Sequence, residues 1–141
     1  MAKIADRNQG IIDEFRANHG KVGGHFAGRN LLLLHTKGAR TGESRIKPVA
    51  YTADGDRLVV IASKGGADTN PAWYHNLLAH PHIEVEVGTE TFRVRAEVAR
   101  EPERTRLYNK MVSEFPAFAE YPQRTKRVIP VIILTREWRG T

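Results

Sequence analysis

The sequence predicts a mainly β protein, a barrel of about six antiparallel strands with flanking helices. Three observations carry this prediction. Short stretches with strand-like apolar patterns, either alternating or continuous, are bounded by turn signals such as Asp54-Gly55-Asp56. The first three stretches follow one another too closely for crossover helices, which favours hairpins. The length of 141 residues and the hydrophobic fraction of 40% suffice for a single core.

The predicted strands cover residues 29–36, 45–53, 57–63, 82–87, 91–99 and 127–136. In the fifth strand, the apolar residues at even positions from Phe92 to Val98 are expected to face the core, because charged residues occupy the positions between them. In the sixth strand, Pro130 is expected at an edge or a bulge, because proline has no N–H group to donate to a ladder. Hairpin-linked strands of this kind indicate a small closed or split barrel.

Three helices are predicted, at residues 6–18, 71–79 and 101–114. The first has few apolar residues and carries both charge signs, so packing on the barrel is favoured over an interfacial membrane helix. The second is expected to begin with Asn70 as N-cap and Pro71 as its first helical residue. On this basis we divide the chain into an N-terminal helix and connector, 1–28, and a barrel domain, 29–141.

Composition restricts the classes of function. The formal net charge of +6 favours an anionic partner: nucleic acid, acidic lipid or a phosphorylated small molecule. The chain has no cysteine, and its histidines lack the spacing of a metal site, so we expect no metal. No apolar run approaches the roughly 20 residues that span a bilayer, and no signal-peptide core is present. We expect a cytoplasmic protein and leave open a peripheral membrane contact through the N-terminal helix.

Two turns within residues 31–73 predict a cradle for a multiply anionic ligand. In the first turn, the guanidinium groups of Arg40 and Arg45 and the hydroxyl of Thr41 could converge on one phosphate or carboxylate. In the second turn, two glycines let the backbone approach a ligand closely. The alternative for either turn alone is a solvated hairpin. The predicted cradle residues are Arg40, Thr41 and Arg45 in the first turn and Ser63, Lys64, Gly65 and Gly66 in the second.

Aromatic residues follow the cradle in two places. Trp73 and Asn76 lie one helical turn apart and could supply an aromatic wall and an amide for a heterocycle, unless Trp73 belongs to the core and Asn76 is exposed. Phe115, Phe118 and Tyr121 recur at intervals of three residues. They could line a pocket, but a hydrophobic lid over the barrel is preferred.

Four motifs follow one another along the chain. They are Gly38-Ala-Arg-Thr-Gly-Glu-Ser-Arg-Ile-Lys-Pro48, Ala62-Ser-Lys-Gly-Gly66, Asn70-Pro-Ala-Trp-Tyr-His-Asn76 and Arg127-Val-Ile-Pro-Val-Ile-Ile133. Taken together and in this order, they resemble the deazaflavin-dependent nitroreductase family, which comprises actinobacterial enzymes of the flavin/deazaflavin oxidoreductase superfamily that use coenzyme F420. The resemblance implies a split β-barrel of the FMN-binding, pyridoxamine-phosphate-oxidase type.

The resemblance also implies which residues would hold the cofactor. Arg40 takes the place of a cofactor-binding lysine or arginine, and Ala39 stands where the family often has a second base. The residues that would match contacts to the phosphate and anionic tail are Arg45, Ser63 and Lys64. Those that would lie near the deazaflavin ring are Pro48, Ala72, Trp73 and Asn76.

The chemistry implied is hydride transfer from the reduced coenzyme, an 8-hydroxy-5-deazaflavin, to a quinone, an activated alkene or a nitroaromatic. Tyrosines line the substrate side of well-known relatives at the positions matched by Phe115, Phe118 and Tyr121. Only Tyr121 keeps a hydroxyl, so it is the candidate catalytic residue, and quinone reduction is expected to survive better than nitroimidazole reduction. The oligomeric state, monomer or homodimer, stays open.

Two alternatives to this function remain. The first is a split-barrel oxidoreductase that binds FMN, whose single phosphate would need fewer basic residues than the cradle offers. The second is a basic barrel that binds nucleic acid without catalysis. Such a barrel would be expected to place aromatic residues among its basic ones, and the segment 37–47 contains none. No nucleic-acid partner is therefore expected.

Overall fold

The structure is a computed structural model that describes residues 3–23 and 30–137, with the side chains of residues 3–7 left out. None of the helices in these two ranges combines the length and the apolar character that a membrane-spanning helix needs. The strands are β1 Leu31–Lys37, β2 Ser44–Asp54, β3 Arg57–Ile61, β4 His82–Val87, β5 Glu90–Val98 and β6 Val131–Arg136. The helices are α1 Lys3–Ala17, α2 Ala72–Ala79 and α3 Glu103–Glu114, and 3₁₀ turns occupy Lys64–Gly66, Pro116–Ala119 and Tyr121–Gln123.

The six strands close into one antiparallel barrel, which confirms the predicted fold class. Around the barrel the order is β1-β2-β3-β6-β5-β4, and β4 pairs with β1 to complete the ring. The last strand along the chain therefore lies between β3 and β5, where it pairs with both. Within the described residues each strand pairs with a neighbour on both sides, although β2 meets β3 only over residues 51–54. Side chains fill the interior of the closed barrel.

The strand β1 is buried on both faces, which explains its continuous run of leucines. Leu32 and Leu34 point into the barrel, where they join the interior core. Leu31 and Leu33 point outward and pack against Ile12 and Phe15 of α1. The N-terminal helix therefore covers one side of the barrel, and the packing role expected for it is confirmed.

The helix α3 covers another side of the barrel in the same way. Val131 and Ile133 of β6 pack outward against Leu107 and Met111 of α3, whereas Ile132 of the same strand lies inside the barrel. A strand that is apolar on both faces is expected wherever a helix lies on the outer face of a sheet. The same outer layer contains Phe115 and Phe118.

Several sequence-based expectations differ from the structure at the ends of elements. β6 begins at Val131 rather than at 127, so Pro130 lies just before the strand, where its carbonyl accepts a hydrogen bond from the Ala62 N–H (3.0 Å). The expected edge or bulge position is therefore wrong. Val98 ends β5 with 37% of its surface exposed and is not an inward-facing core residue.

The helix α2 begins one residue later than expected. Pro71 occupies the N-cap position, and Asn70 does not cap the helix, because its Oδ1 accepts a hydrogen bond from Arg127 (2.7 Å). The helices α1 and α3 begin at Lys3 and Glu103. The connector predicted between the first helix and the barrel domain is described only as far as residue 23, and residues 24–29 lie outside the described ranges.

A charged network fixes the β2–β3 hairpin to α3 at one end of the barrel. Asp54 accepts hydrogen bonds from Arg57 and from both terminal nitrogens of Arg106 (3.2 Å each), and Arg57 also donates to Glu103 (2.9 Å). The hydrogen bonds from Arg106 and then from Arg57 lower the pKa of Asp54 from its ordinary 3.8 to about 2. The ionised carboxylate is thus favoured in the folded protein.

We expect this network to make stability depend on pH in acid. A carboxyl group with a lowered pKa stabilises the fold above its unfolded pKa, and this contribution is lost as pH falls from about 4 towards 2. Asp54→Asn should lower the free energy of unfolding by about 1–2 kcal/mol at pH 7 and by much less near pH 2. Urea denaturation at both pH values measures the difference, with Asp56→Asn, an exposed residue of the same turn, as control. Equal effects of the two changes at pH 7 would contradict the prediction.

Candidate functional site

Both turns of the predicted cradle lie at one end of the barrel, here called the upper end. The first turn joins the end of β1 to the start of β2. β3 is antiparallel to β2, so it ends towards the start of β2, and its last residue, Ile61, pairs with Val131 at the start of β6. The chain topology therefore brings the turn at 38–43, the segment 62–71 and the segment 123–130 to the upper end.

The first turn presents its cations to solvent. The Gly38 N–H donates to the Glu43 carbonyl, and the Gly42 N–H donates to the Gly38 carbonyl (2.8 Å each), so the backbone folds back tightly. Arg40 at the tip is exposed, and the Arg45 side chain is 59% exposed with Glu43 at 3.3 Å. An exposed ion pair of this kind is weak and leaves the guanidinium able to bind a ligand anion.

Asn76 fixes the first turn to α2. Only 7% of this residue is exposed, its Oδ1 accepts a hydrogen bond from the Ala39 N–H (3.0 Å), and its Nδ2 lies 3.5 Å from the Thr36 hydroxyl. The alternative of an exposed Asn76 is therefore wrong. Trp73, on the same helix, is buried in the interior core together with Leu77.

A pocket of about 630 Å³ opens between the first turn and α2. It brings together five of the predicted site residues, Arg40, Thr41, Arg45, Ala72 and Asn76. His75 also lines it and was not predicted, although it precedes Asn76 on the helix that the sequence placed beside the cradle. None of the described residues that line this pocket is acidic. Two guanidinium groups without a carboxylate in the lining fit a ligand that carries phosphate or carboxylate groups.

The second turn has a backbone suited to an anion. Ser63 has right-handed helical angles (φ −77°, ψ −37°), and Lys64, Gly65 and Gly66 follow with positive φ values of 47°, 64° and 85°. This sequence of conformations makes a concave turn whose N–H groups can converge on an anion. In the described part of the chain, no acceptor receives a hydrogen bond from the N–H groups of Ser63, Lys64 or Gly65. Left-handed backbone at a lysine is strained, and such strain is often found at ligand sites.

Gly66 packs against the segment that contains Tyr121. A Cβ atom at Gly66 would lie 3.0 Å from Arg124 Cβ and 3.1 Å from the Tyr121 carbonyl oxygen, so a larger residue would require these neighbours to shift by a few tenths of an ångström. The positive φ of Gly66 adds to this restriction. The second turn and the aromatic segment are therefore in direct contact.

The three predicted aromatic residues differ in burial. Phe115 and Phe118 are 6% and 7% exposed and belong to the layer under α3, whereas Tyr121 is half-buried with its ring edge-to-face against Phe118. The Tyr108 hydroxyl donates to the Phe118 carbonyl (2.7 Å), and burial raises the pKa of Tyr108 to about 12. The segment is thus firmly attached to α3, and Tyr121 is its most accessible predicted member.

The remaining predicted residues lie apart from the pocket lining. Pro48 is buried in β2 opposite Leu33, and Trp73 is in the core. Ser63 and the residues up to Gly66 form the second turn rather than the pocket wall. Within residues 3–23 and 30–137, no group of three or more acidic or histidine side chains is arranged to hold a metal ion.

Comparison with known proteins identifies close relatives. A family model described as F420H(2)-dependent quinone reductase matches residues 9–136. An F420H(2)-dependent quinone reductase of Mycobacterium tuberculosis is 41% identical over 127 residues, which cover 86% of this chain and 85% of that protein.

Solved structures agree with these matches. The structure of an F420-H2 dependent reductase, FDR-A, has a TM-score of 0.70 at 33% identity and covers 79% of this chain and 99% of its own. A structure described as a domain-swapped dimer has a TM-score of 0.71 at 29% identity, and the match covers 94% of this chain and 98% of that one. A putative pyridoxamine 5'-phosphate oxidase from Listeria innocua, at 11% identity with a TM-score of 0.54 and coverage of 96% and 94%, shares the fold alone. The barrel is therefore a split barrel of that type.

We expect Asn76 to be important for stability. Asn76→Ala leaves the Ala39 N–H and the Thr36 hydroxyl without their partner, so the free energy of unfolding should fall by about 1–3 kcal/mol. Asn109→Ala, an exposed position on α3, is the control and should change it by less than about 0.5 kcal/mol. Urea denaturation measures both. A loss for Asn76→Ala as small as that of the control would show that the two hydrogen bonds do not hold the turn.

Proposed function

The chain belongs to the F420H(2)-dependent quinone reductase family, and we propose that it reduces a quinone or a related electron-poor small molecule at the upper end of its barrel. It is therefore an oxidoreductase, its cofactor is coenzyme F420, and its partner in the reaction is a small-molecule electron acceptor. The reduced coenzyme, when bound, supplies a hydride from C-5 of its deazaflavin ring. Activated alkenes and nitroaromatics are the other acceptor classes proposed.

One observation supports the proposed location of the site. The pocket, lined by cations and by no acidic residue among those described, opens at the same end of the barrel as the concave second turn. Arg40 and Arg45 would bind the anionic tail of the coenzyme, with the Thr41 hydroxyl beside them. The Ser63 and Lys64 backbone N–H groups would bind its phosphate, and the Lys64 ammonium would add charge. A ligand with several separate anionic groups is what this spread of donors favours.

The deazaflavin ring would lie between the two anion sites, at the start of α2. Ala72 has a small side chain and lines the pocket, which would let a flat ring approach the helix. Trp73, the next residue on α2, is buried in the interior core and would form a rigid floor beneath this surface. Pro48, which we also propose near the ring, pairs with the outward-facing Leu33 and therefore lies on the outer face of the barrel. Asn76 would act mainly by holding the first turn in place, since its amide is already bonded to Ala39 and faces Thr36.

The acceptor would bind on the side of the second turn that faces Tyr121. The buried rings of Phe115 and Phe118 would form the wall behind it and exclude water, which strengthens any charge stabilisation in the site. The Tyr121 hydroxyl would be the proton donor to the reduced acceptor. The backbone N–H groups of the second turn could also stabilise negative charge that develops on the acceptor oxygen.

The last part of the proposal concerns oligomeric state and cellular location. One solved relative is a domain-swapped dimer, which favours the homodimer over the monomer as our proposal for this chain. We also propose a cytoplasmic location. For a peripheral membrane contact, α1 would have to use residues other than Ile12 and Phe15, because both are buried against β1.

Cofactor titration tests the proposed site. Arg45→Ala and Lys64→Ala should each weaken binding of oxidised F420 by about 1–3 kcal/mol, roughly 5-fold to 150-fold, because each removes a charge-assisted hydrogen bond. The control is Arg93→Ala, an exposed arginine on β5, which should leave the affinity unchanged. Ligand fluorescence follows binding, and FMN is titrated in parallel. Tighter binding of FMN than of F420, or wild-type affinity in both variants, would contradict the proposed site.

Acceptor choice tests the proposed role of the aromatic segment. Relatives have tyrosines at three matched positions, and this chain has phenylalanine at two of them. We therefore expect the unmodified protein to reduce a quinone efficiently and a nitroimidazole weakly or not at all. Tyr121→Phe should lower kcat for the quinone by about 10-fold or more, as loss of a general acid does, with little change in F420 affinity. Steady-state kinetics with the two acceptors gives both results. Efficient turnover of a nitroimidazole by the unmodified protein would overturn this expectation.

A further inference from the structure

Arg127 holds the second turn from behind. This arginine lies between the last 3₁₀ turn and β6 and is partly buried. Its Nε donates to the Ala67 carbonyl (2.8 Å), its Nη1 to the Asn70 Oδ1 (2.7 Å), and its Nη2 to the Ser63 carbonyl (2.8 Å). Both terminal nitrogens also lie 3.3 Å from the Ala62 carbonyl. All three guanidinium nitrogens are thus engaged by the segment that contains the second turn.

These contacts determine where two backbone N–H groups point. In a planar trans peptide, the C=O and the N–H of the next residue point in opposite directions. Because Arg127 binds the carbonyls of Ala62 and Ser63, the N–H groups of Ser63 and Lys64 point away from Arg127. These are two of the three N–H groups for which the described part of the chain offers no acceptor.

The charge of Arg127 strengthens the same two donors. In the ranges described, its hydrogen-bond partners are backbone carbonyl oxygens and the amide oxygen of Asn70, and none of them is a carboxylate. A cation bonded to a peptide carbonyl polarises that peptide, and hydrogen bonds in such a chain reinforce one another. The guanidinium therefore adds positive potential at the concave face without occupying it.

We propose that Arg127 is a positioning residue that aims the Ser63 and Lys64 N–H groups at a phosphate or carboxylate group of the bound ligand. This inference rests on the proposed function, in which that ligand is coenzyme F420. It assigns to a residue outside the pocket lining a part in anion binding at the second turn. A planar fork with five donors suits this task, and a lysine ammonium cannot bond all four acceptors at once.

Two variants separate the geometry of Arg127 from its charge. Arg127→Lys keeps the positive charge but loses the planar guanidinium with its several N–H donors, and Arg127→Met loses both. Arg124→Lys is the matched control, because Arg124 also donates to the second turn, at the Gly65 carbonyl (3.3 Å), but from an exposed position. Ile133→Val, a core change in β6, controls for loss of stability alone.

Binding is measured in two ways for each protein. Fluorescence titration gives the Kd of oxidised F420, and amide NMR of nitrogen-15-labelled protein follows the Ser63 and Lys64 N–H signals during titration with inorganic phosphate. Thermal melting gives the Tm as a separate measure of stability. We expect about 10-fold weaker F420 binding for Arg127→Lys and a larger loss for Arg127→Met, against less than about 2-fold for Arg124→Lys and Ile133→Val. The wild-type N–H signals should move downfield and saturate with phosphate, and those of Arg127→Lys should not.

The outcomes distinguish this inference from the proposed function. If the wild-type protein binds F420 and Arg127→Lys binds it equally well, the inference is wrong and the proposed function stands. An affinity loss in Ile133→Val as large as that in Arg127→Lys, at similar Tm, would reduce Arg127 to a stabilising residue and also overturn the inference. If the wild-type protein fails to bind F420 but its Ser63 and Lys64 N–H signals respond to phosphate through Arg127, the proposed function fails and the positioning role is supported.

Discussion

The structure depends on the insertion of β6 between β3 and β5. This one strand closes the barrel, and its residues alternate between the interior core and the layer under α3. Closure fills the interior with side chains, so a ligand as large as F420 cannot be accommodated inside the barrel. The loops of the upper end are held by the same closure, because the segment that leads into β6 carries Arg127 to the back of the second turn.

Charge is distributed unequally between the two ends. At the end opposite the cradle, Arg57 and Arg106 are bonded to carboxylates, and their role is to fix α3 to the β2–β3 hairpin. At the upper end, Arg40 lies in a pocket whose described lining has no acid, and Arg127 is bonded to neutral oxygens. The formal charge of +6 is therefore partly a local excess where an anionic cofactor would bind.

Local pattern was enough to predict the six strands, because alternation and turn signals depend on neighbouring residues. It was also enough to place Arg40 and Arg45 together, since a hairpin fixes their separation. It failed where a distant partner decides the outcome. Asparagine is a preferred N-cap residue, but the side-chain oxygen of Asn70 accepts a hydrogen bond from Arg127, 57 residues later, and does not cap the helix. Arg127 itself had no local signal, because its four acceptors come from a segment that only barrel closure brings near.

The left-handed conformation of Lys64 has a consequence for the stability of the protein as a whole. Glycine would adopt this backbone without strain, so a search that selects only for thermal stability would favour glycine at this position. That replacement would remove the ammonium group proposed to contact the coenzyme. Under the cofactor role proposed for Lys64, thermostability and cofactor affinity are in conflict at this residue, and a more heat-resistant form of the enzyme need not be a more active one.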